Sequence, residues 1–277
     1  MEFYVCKINL VVNLFSKDKD TIIHQLIPSA MLEGSVMTLR DRKGRETSEA
    51  VAMDDVEEVT DGVLMGLFRM LNDSEVDVRT KLGIKDVLSV SDEIKNEHHF
   101  MYCIRNEVLY IEKKGKGKCE SILKNIADYL IHQNANIGML DIRPCPDTVI
   151  FEEKLKKGQK IKKVTVDFHA PNPRDDDFYS EIRRLSGELP ELASGKIEIK
   201  AQNEWTPEEI LSDNSLIAKA MNSAEYTYSE ISVKDSSNKK IASTKDVHLV
   251  KTLDELIASY EETTRLLIFK KIKEVMP

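Results

Sequence analysis

Two short runs of aromatic, aliphatic and β-branched residues, separated by Asn106-Glu107, dominate the middle of this chain. The first is His99-Phe-Met-Tyr-Cys-Ile-Arg105 and the second Val108-Leu-Tyr-Ile-Glu112. A polar two-residue step between runs of this composition predicts a strand–turn–strand unit. The glycine-punctuated run Lys113-Lys-Gly-Lys-Gly-Lys118 follows, and then Glu120 to Gln133, where Ile122, Ile126 and Leu130 recur at helical spacing. This unit opens a series of alternating strands and helices. It predicts an α+β chain of antiparallel or mixed β-sheets with amphipathic helices packed on them.

Downstream, Ile137 to Arg143 reads as a strand stopped by Pro144 and Pro146, and Asp147 caps a helix running to Lys157. Lys163 to Ala170 alternates, with Val164, Val166 and Phe168 on one face. Pro171 to Asp177 is a turn into a helix striped by Phe178, Ile182 and Leu185. Lys196 to Lys200 is a short strand, and Thr206-Pro-Glu-Glu209 has the form of a capping box. Tyr226 to Lys234 and Ile241 to Val250 form a hairpin, and Leu253 onward forms one regular closing helix. Upstream, Phe3 to Leu14 is a strand with Tyr4, Cys6 and Ile8 on one face and Val5, Lys7 and Asn9 on the other. Asp20 to Leu32 is a weaker segment broken by Pro28, Gly34 to Leu39 and Ala50 to Val59 are strands, and Val63 to Leu71 is a strand with a glycine bulge at Gly66. Asn72 to Asn96 is loop-like. These patterns divide the chain into a β-rich region 1–97 and an α+β region 98–277; a second candidate boundary lies at 170–175.

The net charge of −8 excludes a uniformly basic nucleic-acid binder. The charge is unevenly spread: Lys113 to Lys163 holds 12 Lys/Arg against 6 Asp/Glu. Four isolated cysteines, Cys6, Cys103, Cys119 and Cys145, have no CxxC spacing, so neither a zinc site nor a disulfide framework is expected. The apolar runs fall short of a membrane span, the first residues lack the form of a signal peptide, and a reducing cytoplasm is the expected location.

Lys113, Lys114, Lys116 and Lys118 make one candidate phosphate-binding group, beside the start of a helix. The spacing is not that of a nucleotide-binding P-loop, because Cys119 follows Lys118 and no glycine stands before Gly117 with four residues between the two. Lys154, Lys156, Lys157, Lys160, Lys162 and Lys163 make a second group, with Arg183 and Arg184 as secondary candidates. On one surface the two groups would bind a phosphate backbone without reading bases; ordinary solvated lysines at strand ends are the plain alternative. A magnesium-dependent nuclease would use Asp167 with one of Asp175, Asp176 or Asp177, beside His169. Those three acids also suit a helix N-terminus. His98-His99 lacks a completing ligand set and reads as strand-edge polarity, and Trp205 reads as a staple before its helix. No nucleophile–histidine pattern is present, and no cofactor or resident metal is expected.

The hairpin Phe100 to Ile111, the helix after Lys118, the later β–α alternation and the closing helix from Leu253 to Val275 resemble in their order the RexA phage-exclusion family. That resemblance implies a dimeric, sequence-nonspecific DNA binder acting in phage defence with a membrane-protein partner, and a fold similar to recombination-associated DNA-binding proteins. The expected function is therefore nonspecific DNA binding by the two lysine groups, without catalysis by this chain. A metal-dependent nuclease effector and a protein-interaction adaptor in a multi-subunit defence complex, with a membrane protein or helicase as partner, are the alternatives.

Overall fold

A computed structural model describes residues 1–11, 19–33, 35–41, 43–71, 97–115, 119–157, 160–169, 194–211, 229–258 and 260–275 of the chain. The expectations for Asn72–Asn96, for the turn at Pro171–Asp177 and for the helix after it lie outside these residues. The architecture is α+β, with antiparallel sheets and helices packed against them. The chain divides into two compact units: Met1–Ile8 with Asn13–Ile142 and Lys251–Pro277, and Asn9–Val12 with Arg143–Val250. The boundary expected at 97/98 falls inside the first unit.

The first unit is built on strands β1 (Glu2–Val11), β2 (Met37–Arg40), β3 (Glu46–Thr60), β4 (Val63–Leu71), β5 (Glu97–Cys103) and β6 (Val108–Glu112). With β7 (Met139–Pro144) and β12 (Val250–Thr252) they form a sheet in the order β12-β1-β6-β5-β4-β3-β2, and β7 pairs with β1. The expected hairpin is β5–β6, closed by a 3-10 turn at Ile104–Asn106 with Glu107 in the left-handed region at φ 57°. The segment at 20–32 is helical, not broken. It runs through α1 (Lys19–Thr21), a π-helical turn (Ile22–Leu26) and α2 (Ile27–Leu32), and Pro28 lies just after the π-helical turn, where the hydrogen-bonding pattern changes.

Both faces of this sheet are buried. On one, Phe3, Val63, Met65, Met101 and Cys103 pack against Leu256 and Ile257 of α6 (Leu253–Ile257) and Ile268 and Ile272 of α7 (Glu262–Val275). On the other lie Cys6, Ile8, Phe68, Phe100 and Tyr102, all buried. Helix α3 (Cys119–Gln133) buries Leu123, Ile126 and Leu130, and both α2 and α3 touch β3. The bulge expected in β4 belongs instead to its neighbour. The register of β3 shifts between Asp54 and Glu57, and the displaced backbone comes so close to Gly66 that a Cβ there would lie 2.9 Å from the Asp54 carbonyl oxygen.

The second unit holds a four-stranded sheet in the order β11-β10-β8-β9, made of β8 (Ile161–His169), β9 (Ser194–Trp205), β10 (Ser229–Lys234) and β11 (Lys240–Ser243). Its core joins Val164 and Val166 of β8, Ile231 and Val233 of β10 and Ala242 of β11 to Phe151 and Leu155 of α4 (Thr148–Lys156) and Ile210 of α5 (Pro207–Ile210). Asp147 caps α4 by accepting from the Ile150 amide, and Thr206 and Glu209 complete the expected capping box on α5. Trp205 packs into the same core as Ile210, as a staple requires.

Candidate nucleic-acid interface

The alternation that buries Val164 and Val166 turns Lys163, Thr165 and Asp167 to the opposite face of the second unit's sheet. Antiparallel pairing then fixes what stands beside them. Lys163 is opposite Lys234 of β10 on one side and Lys200 of β9 on the other. Lys234 is in turn opposite Lys240 of β11, because a bulge skips Ile241 and brings Lys240 into register. Four lysines thus form a continuous cross-strand row, Lys240–Lys234–Lys163–Lys200, at the end of the sheet where β8 begins. The next row toward the far end is Ser243–Ser232–Thr165–Glu198, and the one after it contains Glu230, Asp167 and Lys196.

Like charges directly opposite one another in a ladder are unfavourable. Here the repulsion is relieved from neighbouring positions: Lys163 pairs with Glu198, and Lys240 Nζ lies 2.6 Å from Asp246 Oδ2. The acids further along the sheet are also engaged, Glu230 by Arg143 at 3.0 Å and by Lys245 at 2.6 Å.

The second lysine group of the sequence leads into this row. Lys156 and Lys157 are exposed at the C-terminal end of α4, where the helix dipole favours cations, and Lys156 Nζ lies 3.5 Å from Glu152. Lys154 donates to the Asp246 carbonyl oxygen at 3.5 Å, Lys160 is exposed, and Lys162 is half-buried at the start of β8. The first group is anchored elsewhere, in the first unit. Lys113 donates to Glu2 at 2.8 Å, which holds the Glu2 carboxyl below its ordinary range and the lysine above its own. Lys114 lies 3.4 Å from Glu112. Lys116 and Lys118 lie outside the described residues, as do Arg183, Arg184 and Asp175 to Asp177. Asp167, the other half of the nuclease alternative, stands in the ladder between Glu230 and Lys196. Among the described residues, no group of three or more His, Cys, Asp or Glu could hold a metal ion.

Sequence reasoning missed Lys200, Lys234 and Lys240, because they reach Lys163 only through strand pairing. It also misplaced His98-His99. These residues lie on β5, a central strand between β4 and β6, and both are buried. Glu112 fixes them: its carbonyl oxygen is 2.9 Å from His98 Nδ1, and its carboxylate is 2.8 Å from His99 Nδ1 and accepts the His99 amide. Burial lowers the His98 pKa, with Lys114 acting in the same direction. Burial would raise that of Glu112, but the bonds from His99 and the charge of Lys114 outweigh it and hold the carboxyl low. These groups support the base of the lysine run.

All four cysteines are free and buried, and no described helix is long and apolar enough to cross a membrane. No curated protein matches the chain. A family model described as a domain of unknown function, DUF4747, matches residues 85–274. Because that match takes in more than half of the sequence, the chain belongs to the DUF4747 family.

Proposed function

We propose that this protein binds DNA through its phosphate backbone, without reading base sequence and without catalysing a reaction on it. The observation that carries the reading is the cross-strand row Lys240–Lys234–Lys163–Lys200. A sheet gains nothing in stability by aligning like charges, and a departure of this kind from local consistency is typical of a functional surface. The exposed lysines Lys156, Lys157 and Lys160 extend the same basic end of the second unit. Lys113, Lys114, Lys116 and Lys118 form a separate basic segment of the first. The setting, a homodimer in phage defence or exclusion with a membrane-protein or helicase partner, follows from the likeness of the element order to the RexA family.

The test is a salt titration of DNA binding by the full chain, using two duplexes of unrelated sequence. Both should bind equally, with an affinity that falls linearly on a logarithmic salt scale. Replacing Lys163, Lys200 and Lys234 by Gln should reduce that slope by roughly 0.9 per lost contact. Absence of binding at low salt, or an unchanged slope in the variant, would overturn the reading.

A further inference from the structure

His99 uses one ring nitrogen and leaves the other bare. Its Nδ1 lies 2.8 Å from the Glu112 carboxylate. A carboxylate only accepts, so the proton sits on Nδ1 and Nε2 keeps a lone pair. That atom is buried and has no hydrogen-bond partner among the described residues. An acceptor left bare in a protein interior calls for a physical reason.

The sheet register supplies its surroundings. His99 and Met101 alternate onto the same face of β5, and Met101 packs there against α6 and α7. On β4, Leu67 stands opposite His99, Met65 opposite Met101 and Arg69 opposite Glu97. Arg69 is committed to Asp54 at 3.2 Å and to Glu97 at 3.3 Å. Leu67, Met65 and Met101 are all buried and have no hydrogen to donate to Nε2. The two methionines do carry thioether sulfurs. Residues directly opposite in a ladder stand about 5 Å apart and diagonal ones about 7–8 Å, within the reach of long side chains. A buried water needs about two to four polar partners, which one nitrogen and two thioethers do not supply. A hard dication needs oxygen ligands, and the Asp54, Glu97 and Glu112 carboxylates are already held by Arg69 and His99. Imidazole together with thioethers is the donor set that selects a soft cation. The Glu112 carboxylate behind Nδ1 makes the nitrogen a better ligand.

We infer that His99 Nε2, Met65 and Met101 bind one soft monovalent cation, of the copper(I) class, within the core of the first unit. The site is independent of the lysine row and of the DNA-binding reading.

The experiment titrates copper(I), without oxygen and against a chromophoric copper(I) chelator, into the full chain carrying carbon-13 in its methionine methyl groups. Of the ten methionines, Met65 and Met101 should shift and saturate at a single equivalent. Met65→Leu/Met101→Leu, a volume-conserving change that cores tolerate, should lower the affinity by at least about tenfold. Met31→Leu/Met53→Leu removes two other buried thioethers and should bind as the wild type does. Glu112→Gln leaves all three ligands in place and should weaken binding by about 10–100-fold. In each variant the remaining methionine signals report that the fold is kept. Copper(I) captured by one of the four buried cysteines would leave the Met65 and Met101 signals in place and the double leucine variant at wild-type affinity; either result overturns the inference. So does the absence of any binding that competes with the chelator.

Discussion

Lys7 and Glu107 show how much a single position can owe to its surroundings. Glu107 takes a left-handed backbone conformation at the hairpin turn, which favours glycine, yet its carboxylate is buried 3.4 Å from the equally buried Lys7 ammonium. Lys7 also donates to the Asn106 carbonyl oxygen at 3.0 Å, so it ties the turn to β1. Lys7→Ala should destabilise the protein by about 3 kcal/mol, because it strands a buried carboxylate. In a denaturant-unfolding double-mutant cycle, adding Glu107→Gln should cost less than its separate effect; strict additivity would show that the two groups are not coupled. Gly66 owes its identity to space alone. An added Cβ would meet Val56 Cγ2 at 2.8 Å as well as the Asp54 carbonyl oxygen. Gly66→Ala should therefore lower stability by about 1–3 kcal/mol, read as a reduced denaturation midpoint at constant m-value.

The closing helix shows why a regular apolar period does not guarantee one uninterrupted element. Leu253, Leu256, Ile257, Ile268 and Ile272 all reach the core, but they do so on two helices, α6 and α7, separated around Ala258 to Glu261. No glycine or proline marks the break. It is held by Arg265, whose side chain donates to the carbonyl oxygens of Tyr260 and Ala258, and by the 3.0 Å contact between the Tyr260 hydroxyl and Cys103 Sγ. Lys271, 3.0 Å from Glu57, fixes α7 against β3. Helix α6 starts with a capping box in which Thr252 accepts from the Glu255 amide while the Glu255 carboxylate accepts from the Thr252 amide. Thr252→Ala should cost about 1 kcal/mol and raise amide exchange in α6. A loss below a few tenths would mean that core packing alone sets this helix start.

At the scale of the molecule, acid should affect the two units differently. His98 and Glu112, both in the first unit, are each harder to protonate in the folded chain than in the unfolded one. As the pH falls, the unfolded chain takes up protons first at the histidine, from about its ordinary 6.5, and later at the glutamate, from about 4.5. Their contribution to stability is complete above those values and is lost as the pH drops through the lower folded ones. The chain's one tryptophan, Trp205, packs into the core of the second unit and reports on it alone. On acidification, amide protection in β5 and β6 should fall before the Trp205 emission shifts. His98→Asn should flatten the upper part of the first transition and leave the second in place; simultaneous transitions unaffected by that substitution would contradict the assignment.

The sequence alone determined the classes of its elements wherever local chemistry decides them. The alternation in β8, the Asp147 and Thr206 caps, the Asn106-Glu107 turn and the apolar stripe of α3 are all set by neighbours within a few residues, so their signals are complete in one dimension. What pairing and packing decide was not readable in that way. The Gly66 contact depends on a bulge in another strand, the burial of Lys7 and His99 on partners supplied by β6 and its preceding turn, and the break before α7 on an arginine side chain reaching back to free carbonyls. The candidate site divides along the same line: Lys154 to Lys163 could be found as a run of charge, whereas the alignment of Lys163 with Lys200, Lys234 and Lys240 is a matter of strand register, which exists only once the sheet has formed.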